Sequence, residues 1–257
     1  MLIVNADDLG RTPNVTDNII DCFRKGRITS ASAMVFMADS VRASRAASEA
    51  GVETGLHLNL DLLFDGPGLP DPLRARHGRV VRYLRRDKWR QLLYNPALKR
   101  EFRYVFEAQY GEYCRLFGRE PMQIDGHDHM HLCMNMVLDR IIPPGTRVRR
   151  NLTFTRGQRN FVNRLYRKLV DAWLTRRCVC TDEFFAIDPV SNLPRQEAIV
   201  RRAHSRSVEL MVHPGLREEY EHLLSPAYGA LIRGIPLGTY SMIPLPSEEP
   251  FRRDGAD

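Results

Sequence analysis

Near the N-terminus stands Leu2-Ile3-Val4-Asn5-Ala6-Asp7-Asp8, a short apolar run that ends on two adjacent carboxylates. A run of this length bounded by turn residues predicts a buried β-strand. The next residues carry apolar side chains at spacings of three and four from Val15 to Phe23, and they stop at Gly26. That spacing predicts a helix. A strand followed by a helix is therefore the first unit of the fold.

The same unit repeats before residue 60. A second strand is predicted over residues 28–36, a second helix over residues 41–50, and a third strand around His57. The order β-α-β-α-β is typical of a parallel sheet joined by crossover helices. Further strands are predicted over residues 122–124, 146–149, 179–185, 208–212 and 239–245. We expect one α/β domain over residues 1–257, with seven or eight strands.

One segment, residues 65–90, breaks this rhythm with prolines and arginines. The prolines argue against a regular crossover helix. We expect an insertion at about residues 65–95 that is either a substrate-facing lid or a solvated surface excursion.

Composition points to an ordinary soluble enzyme: 43% of the 257 residues are hydrophobic and 27% are charged. No apolar run approaches the roughly 18 residues needed to cross a bilayer. The N-terminus shows no signal peptide, and the five cysteines are scattered. We therefore predict a cytoplasmic protein with reduced thiols and no transmembrane segment.

The net charge of +7 comes largely from two basic clusters. They contain Arg74, Arg76, Arg79, Arg82, Arg85, Arg86, Lys88 and Arg90, and then Arg147, Arg149 and Arg150. No known nucleic-acid-binding motif accompanies them, so we expect no nucleic-acid partner. A solvated basic face is the favoured interpretation, followed by contact with an anionic substrate or lipid head group.

Four motifs place carboxylates and histidines directly after predicted strands. They are Asp7-Asp8, Gly55-Leu56-His57-Leu58-Asn59-Leu60, Asp125-Gly126-His127-Asp128-His129-Met130-His131, and His213-Pro214-Gly215. The carboxyl ends of parallel strands meet on one side of such a sheet, where chemistry collects. In an extended chain the three alternating histidines of the third motif would all project to one side. So many ionisable groups together indicate a metal or catalytic site.

In order and spacing, these motifs resemble the YdjC-like carbohydrate deacetylase family, from residue 2 to about residue 215. Leu9 and Gly126 depart from the residues usual in that family, at positions that supply no reacting side chain. The resemblance implies a distorted, incomplete (β/α) barrel of about seven parallel strands. It also implies metal-dependent removal of N-acetyl groups from amino sugars.

Carried onto this chain, the resemblance assigns Asp8, His57 and His127 as ligands of a divalent ion, Mg²⁺ or Zn²⁺. Asp7 then suits a general base, and His213 suits the acid that protonates the leaving amine. The remaining candidates, for substrate binding or for orienting the ligands, are Asn59, Asp125, His129, His131, Arg147 and Arg150.

Two other functions stay open on the sequence. Asp/His clusters with nearby arginines also serve metal-dependent phosphoesterases. The arginine-rich insertion alternatively suits a non-enzymatic polyanion-binding protein. The expected partner is an N-acetylated sugar, with anionic and lipid-linked forms among the candidates, and a second copy of the chain is a further candidate partner.

Overall fold

The structure is a computed structural model that describes residues 1–87, 89–153 and 161–245. Its strands are β1 (Leu2–Leu9), β2 (Ser30–Ala33), β3 (Glu53–Leu58), β4 (Ile124–Gly126), β5 (Glu183–Ala186) and β6 (Val208–Val212). Its α-helices are α1 (Pro13–Arg24), α2 (Ser40–Ala50), α3 (Asp71–Leu84), α4 (Lys99–Phe117), α5 (Met134–Leu138), α6 (Phe161–Thr175), α7 (Leu193–Arg202), α8 (Arg217–Leu224) and α9 (Pro226–Leu231).

The strands form one sheet in the order β4-β3-β2-β1-β6-β5, and every neighbouring pair is parallel. This confirms the predicted α/β class with crossover helices. All eight residues of β1 are buried, as expected for a central strand covered on both faces. The described residues contain six strands, so the expectation of seven or eight was wrong.

The sheet curls into an incomplete barrel with a gap between β4 and β5. Isolated bridges cross this gap, pairing Ile124 with Val148 and Arg147 with Val179. The predicted strand over residues 146–149 is therefore reduced to these bridges. Residues 239–245 were also expected to form a strand, but they contain the short 3-10 helix Tyr240–Met242. We refer to the bridged gap as the seam.

The predicted insertion contains a regular helix, although its prolines were expected to exclude one. Helix α3 has Pro72 in its first turn, where proline costs no hydrogen bond because that N–H has no helical acceptor. It lies beside α4, and Arg79 pairs with Glu101 at 2.9 Å. The helix forms because the proline lies in its first turn, so the position of the proline matters more than the number of prolines in the segment.

No helix in the described ranges is both long and apolar enough to cross a membrane.

Candidate active site

A pocket of about 850 Å³ opens at the carboxyl ends of the parallel strands. All four motifs contribute to its wall, through Asp7, Asp8, His57, His127, His129 and His213. Its volume lies within the roughly 300–1,000 Å³ common for small-molecule sites. The parallel topology therefore gathers residues from the start, middle and end of the chain.

A bulge at the end of β1 lets both adjacent carboxylates reach the pocket. The pairing of β1 with β2 shifts register between Ala6 and Leu9. Asp8 adopts φ +74, a left-handed conformation that is uncommon for a residue with a side chain. On a regular strand the two side chains would point to opposite faces. The left-handed backbone at Asp8 interrupts the alternation of side chains, so both carboxylates can face the pocket.

The histidine cluster is not extended, which corrects the prediction that its three histidines share one side. Residues His127–Leu132 form a 3-10 helix interrupted by left-handed backbone at Asp128 (φ +49) and His129 (φ +58). His127 and His129 line the pocket. His131 turns into the core, where its Nε2 lies 2.9 Å from the carbonyl oxygen of Arg149. Burial lowers the pKa of His131 to about 4, so this imidazole is neutral near pH 7.

His129 also lies against the protein interior. Its ring meets the ring of Phe184 edge-on, with the centroids 5.6 Å apart. Burial, together with the nearby Arg149 and His131, lowers its pKa well below the usual range. A neutral imidazole on the pocket wall can hydrogen-bond a substrate without repelling a cation.

Each of the two histidines expected to bind the ion has a carboxylate at its Nδ1. The Nδ1 of His57 lies 2.8 Å from Asp125 Oδ1, and the Nδ1 of His127 lies 2.9 Å from Asp61 Oδ1. Each carboxylate can hold its imidazole as the tautomer whose Nε2 accepts, an arrangement usual for metal-bound histidines. The rings of His57 and His127 meet edge-on, 6.0 Å apart between centroids.

Asp8 supplies the oxygen that suits a cation. Its Oδ2 accepts a hydrogen bond from Arg11 Nη1 at 2.9 Å. Its Oδ1 is buried, has no hydrogen-bond partner, and lies 3.4 Å from His57 Nε2. A buried carboxylate oxygen left unpaired is costly unless something binds it. The Asp8 oxygen and the His57 nitrogen therefore match two ligands of a divalent metal site. The full expected set of Asp8, His57 and His127 is not among the groups whose ligand atoms all lie within 4.8 Å of one another.

Two side-chain groups have ligand atoms within 4.8 Å of one another, namely Asp7 with His57 and Asp125, and Asp61 with His127 and Asp128. In the first group, Asp7 and Asp125 are already committed to Arg149. Of this group, only the His57 Nε2 faces the unpaired Asp8 oxygen.

Arg149 is a central residue that the sequence did not single out. It is fully buried and binds Asp7 through two hydrogen bonds of 2.6 and 2.7 Å. It also binds Asp125 at 2.8 Å and Glu209 at 2.7 Å. Burial alone would raise the pKa of Asp7, but the guanidinium holds that pKa well below its usual range. Arg149 therefore keeps Asp7 ionised.

Glu209 and Glu219 are two further missed acids. Burial raises the pKa of Glu209 to about 7, and the Tyr240 hydroxyl donates a hydrogen bond to it. Glu219 accepts the backbone N–H of His213 at 2.6 Å, and its Oε1 lies 3.6 Å from His213 Nδ1. Neither acid lies in a recognisable motif, and Glu209 is hidden inside the apolar run of β6. No sequence signal marked them.

His213 is half-buried on the pocket wall, with its Nε2 3.9 Å from Asp7 Oδ2. Burial lowers its pKa, but the nearby carboxylates of Glu219 and Asp7 outweigh burial, so the pKa is raised overall. A raised pKa keeps the imidazole protonated closer to neutral pH, which suits a proton donor.

A family model described as YdjC-like protein matches residues 1–233. The chain belongs to the YdjC-like family. It is 32% identical over 132 residues to the chitooligosaccharide deacetylase of Proteus mirabilis, a match covering 51% of this chain and 50% of that protein. It is 32% identical over 138 residues to the carbohydrate deacetylase of Mus musculus, covering 51% of this chain and 43% of that protein. The matches thus span about half the length of these curated relatives, or less.

A solved structure supports the fold. A putative cellobiose-phosphate cleavage protein from Enterococcus faecalis superposes with a TM-score of 0.65 and 22% identity, covering 93% of this chain and 97% of that one. At this identity the likeness concerns the fold alone.

In this YdjC-like chain, five of the predicted side chains do not line the pocket, namely Asn59, Asp125, His131, Arg147 and Arg150. Arg147 donates to the carbonyl oxygen of Ile243 at 3.0 Å. Arg150 pairs with Asp171 at 3.0 Å and also donates to two backbone oxygens directly before β5. The expectation that these arginines contact substrate is therefore corrected by their placement, because both guanidinium groups are bound elsewhere.

Asn59 shapes the loop beyond β3 instead of facing the pocket. Its Oδ1 accepts the backbone N–H of Leu62 at 2.9 Å, and its Nδ2 donates to the Leu62 carbonyl at 2.7 Å. The turn places Asp61 beside His127. Asn59 thus acts on the site through Asp61.

Proposed function

We propose that this chain is a metal-dependent deacetylase that removes N-acetyl groups from an amino-sugar-containing carbohydrate. The observation that carries the proposal is the buried, unpaired Asp8 Oδ1 facing His57 Nε2 on the wall of the pocket. The family membership and the names of the curated relatives support the substrate class.

Asp8, His57 and His127 would hold the ion. A divalent metal bound there supplies Lewis acidity toward an amide carbonyl and lowers the pKa of a bound water. Asp125 and Asp61 contact the Nδ1 atoms of the two imidazoles, which fixes the orientation of the rings before substrate binds. Mg²⁺ and Zn²⁺ both accept this mixture of oxygen and nitrogen ligands.

Asp7 is the proposed general base. As the water oxygen bonds to the acetyl carbon, the carboxylate of Asp7 takes a water proton. Arg149 and Asn5 already donate to its oxygens, at 2.6, 2.7 and 3.0 Å, which fixes the carboxylate plane. Oδ1 already accepts two of these hydrogen bonds, whereas Oδ2 accepts one and keeps a lone pair that can receive the proton.

His213 is the proposed general acid. When the C–N bond breaks, the leaving nitrogen needs a proton to depart as an amine, and the protonated imidazole supplies it. Glu219 stabilises that protonated form from the opposite side of the ring. The products are acetate and the free amino sugar.

The test is acetate release from N-acetylated mono-, oligo- and lipid-linked sugars, measured before and after treatment with a chelator and after metal is restored. We expect acetate release that the chelator abolishes and metal restores. Release of phosphate from a chromogenic ester with none from acetylated sugars would reassign the site to a phosphoesterase.

The ligand set is tested separately by metal content. His57→Ala and His127→Ala should each lower the bound metal per chain by about tenfold or more at limiting metal. His204→Ala is the matched control, since His204 is exposed and outside the pocket, and it should retain full metal content. Equal metal content in all three variants would refute the assignment.

A further inference from the structure

A row of large apolar side chains is exposed beside the pocket, and the proposed reaction does not use it. This rim patch consists of side chains that are between 36% and 61% exposed, namely Leu63, Trp89, Leu92, Leu93, Tyr94 and Leu138. Isolated exposed apolar residues are ordinary, but a contiguous group marks an interaction site.

Hydrogen bonds hold the segments that carry the patch next to one another. The Nε of Arg85 donates to the carbonyl oxygen of Asp61 at 2.7 Å, which holds the loop of Leu63 against the end of α3. The hydroxyl of Tyr94 donates to Asp139 Oδ1 at 3.0 Å, which places Leu138 beside Tyr94. Three separate parts of the chain therefore build one surface.

The rim patch borders the mouth of the pocket. Leu84 and Gln91 both line the pocket, and they bracket the chain that leads to Leu92 and Leu93. Any surface that covers the patch would consequently lie next to the entrance of the site.

Positive charge accompanies the apolar side chains. Arg82 and Arg86 are exposed at the end of α3, directly before the patch. Arg85 is also exposed, although it pairs with Asp61 at 3.1 Å. Trp and Tyr beside leucines and arginines are the composition of a surface that sits in the head-group region of a bilayer.

We propose that the rim patch and its arginines bind an anionic membrane surface. Leucines enter the boundary of the acyl chains, Trp89 and Tyr94 occupy the head-group level, and Arg82 and Arg86 contact lipid phosphates. A second copy of this chain is a poorer occupant, because a two-fold contact would place the arginines of one copy against those of the other.

Attachment would hold the pocket mouth beside sugars carried at that surface. This consequence, a membrane-borne N-acetylated glycan as substrate, rests on the proposed function, whereas the attachment itself does not. Binding and turnover can therefore be measured separately.

The experiment is co-sedimentation of the full chain with vesicles of phosphatidylglycerol and phosphatidylcholine, and with vesicles of phosphatidylcholine alone. Binding should favour the anionic vesicles and weaken as salt is raised. Leu92→Ser/Leu93→Ser should lower the partition coefficient at least about tenfold. Arg82→Ser/Arg86→Ser should lower it about 25-fold on anionic vesicles, at roughly fivefold per arginine.

Matched controls lie at the opposite end of the strands. Leu237→Ser and Arg201→Ser/Arg233→Ser also change exposed residues and should leave the partition unchanged. Both rim variants should keep the acetate-release rate of the parent on a water-soluble sugar. Absence of vesicle binding by the parent, or equal binding by rim and control variants, would overturn the proposal. Tighter binding to a single-stranded oligonucleotide than to vesicles would do the same and assign the arginines to nucleic acid.

Discussion

At the scale of single residues, the two adjacent acids of the site differ in the groups that each one contacts. Asp8 Oδ1 has no hydrogen-bond partner, whereas both oxygens of Asp7 are bound by Arg149. Two adjacent, identical side chains therefore have different electrostatic environments. Their different proposed roles follow from those environments.

Asp7→Asn tests the base. The amide retains the shape of the carboxylate but cannot take a proton, so kcat should fall about a hundredfold or more while bound metal stays near normal. Steady-state kinetics and metal analysis measure the two quantities. Asp17→Asn, at an exposed carboxylate that pairs with Arg42, is the control and should keep parent kinetics. An Asp7→Asn enzyme of full activity would exclude Asp7 from proton transfer.

Glu219→Gln tests how His213 is tuned. Glu219 raises the pKa of His213, and the acid acts only when protonated, so activity is lost as pH rises through that pKa. Without the carboxylate the pKa falls, and the alkaline limb of the pH profile of kcat should move to lower pH. A profile with an unmoved alkaline limb, even at reduced kcat, would show that Glu219 serves only the structure.

At the scale of elements, β3 explains why a glycine stands two residues before His57. A Cβ on Gly55 would lie 2.0 Å from Gln123 Oε1. Gln123 donates to Ser32 at 3.0 Å, Ser32 donates to Asp125 at 2.6 Å, and Asp125 holds His57. A methyl group at Gly55 would therefore act on His57, a proposed metal ligand, through three side chains.

We expect Gly55→Ala to lower kcat/KM at least about tenfold and to weaken metal binding, because Gln123 must move. Gly78→Ala is the matched control. Gly78 lies within α3 with no atom within 4 Å of its added Cβ, so alanine there should stabilise the fold by about 0.5–1 kcal/mol and leave activity unchanged. Kinetics, metal analysis and urea unfolding of both variants check this, and parent-like Gly55→Ala would contradict it.

The elements that the sequence predicted well are those with simple periodicity. The first three strands and first two helices were placed correctly because apolar spacing and terminal glycines mark them. The histidine cluster was not, since its left-handed residues Asp128 and His129 depend on packing that spacing does not encode. Motif residues could be predicted, but the direction in which His131 points could not.

At the scale of the whole molecule, the buried guanidinium of Arg149 links three strands of the incomplete barrel. Its partners lie on β1, β4 and β6, while the residue itself follows the bridges that cross the seam. Among three neighbouring arginines, the sequence offered no reason to prefer this one, because its partners are far apart in the chain. Long-range convergence of this kind needs the fold.

Arg149→Met should destabilise the protein by about 3–5 kcal/mol, since it leaves three buried carboxylates without their cation. Arg147→Met removes a guanidinium bound to a backbone oxygen near the seam and should cost only about 1 kcal/mol. Urea unfolding at pH 7 compares them. Equal stability of the two variants would show that the barrel does not depend on the buried charge.

The bulge at the end of β1 has a consequence for preorganisation. Asp7 and Asp8 are covalent neighbours on the central strand, so their Cα atoms stay about 3.8 Å apart whatever the surrounding loops do. The proposed base and one proposed ligand therefore need no conformational closure to come together, and thermal motion cannot separate them. His127 and His213 lie just beyond the strands, so fixing their positions costs the conformational entropy that the carboxylate pair avoids. On warming, these two side chains should lose their alignment before the carboxylate pair does.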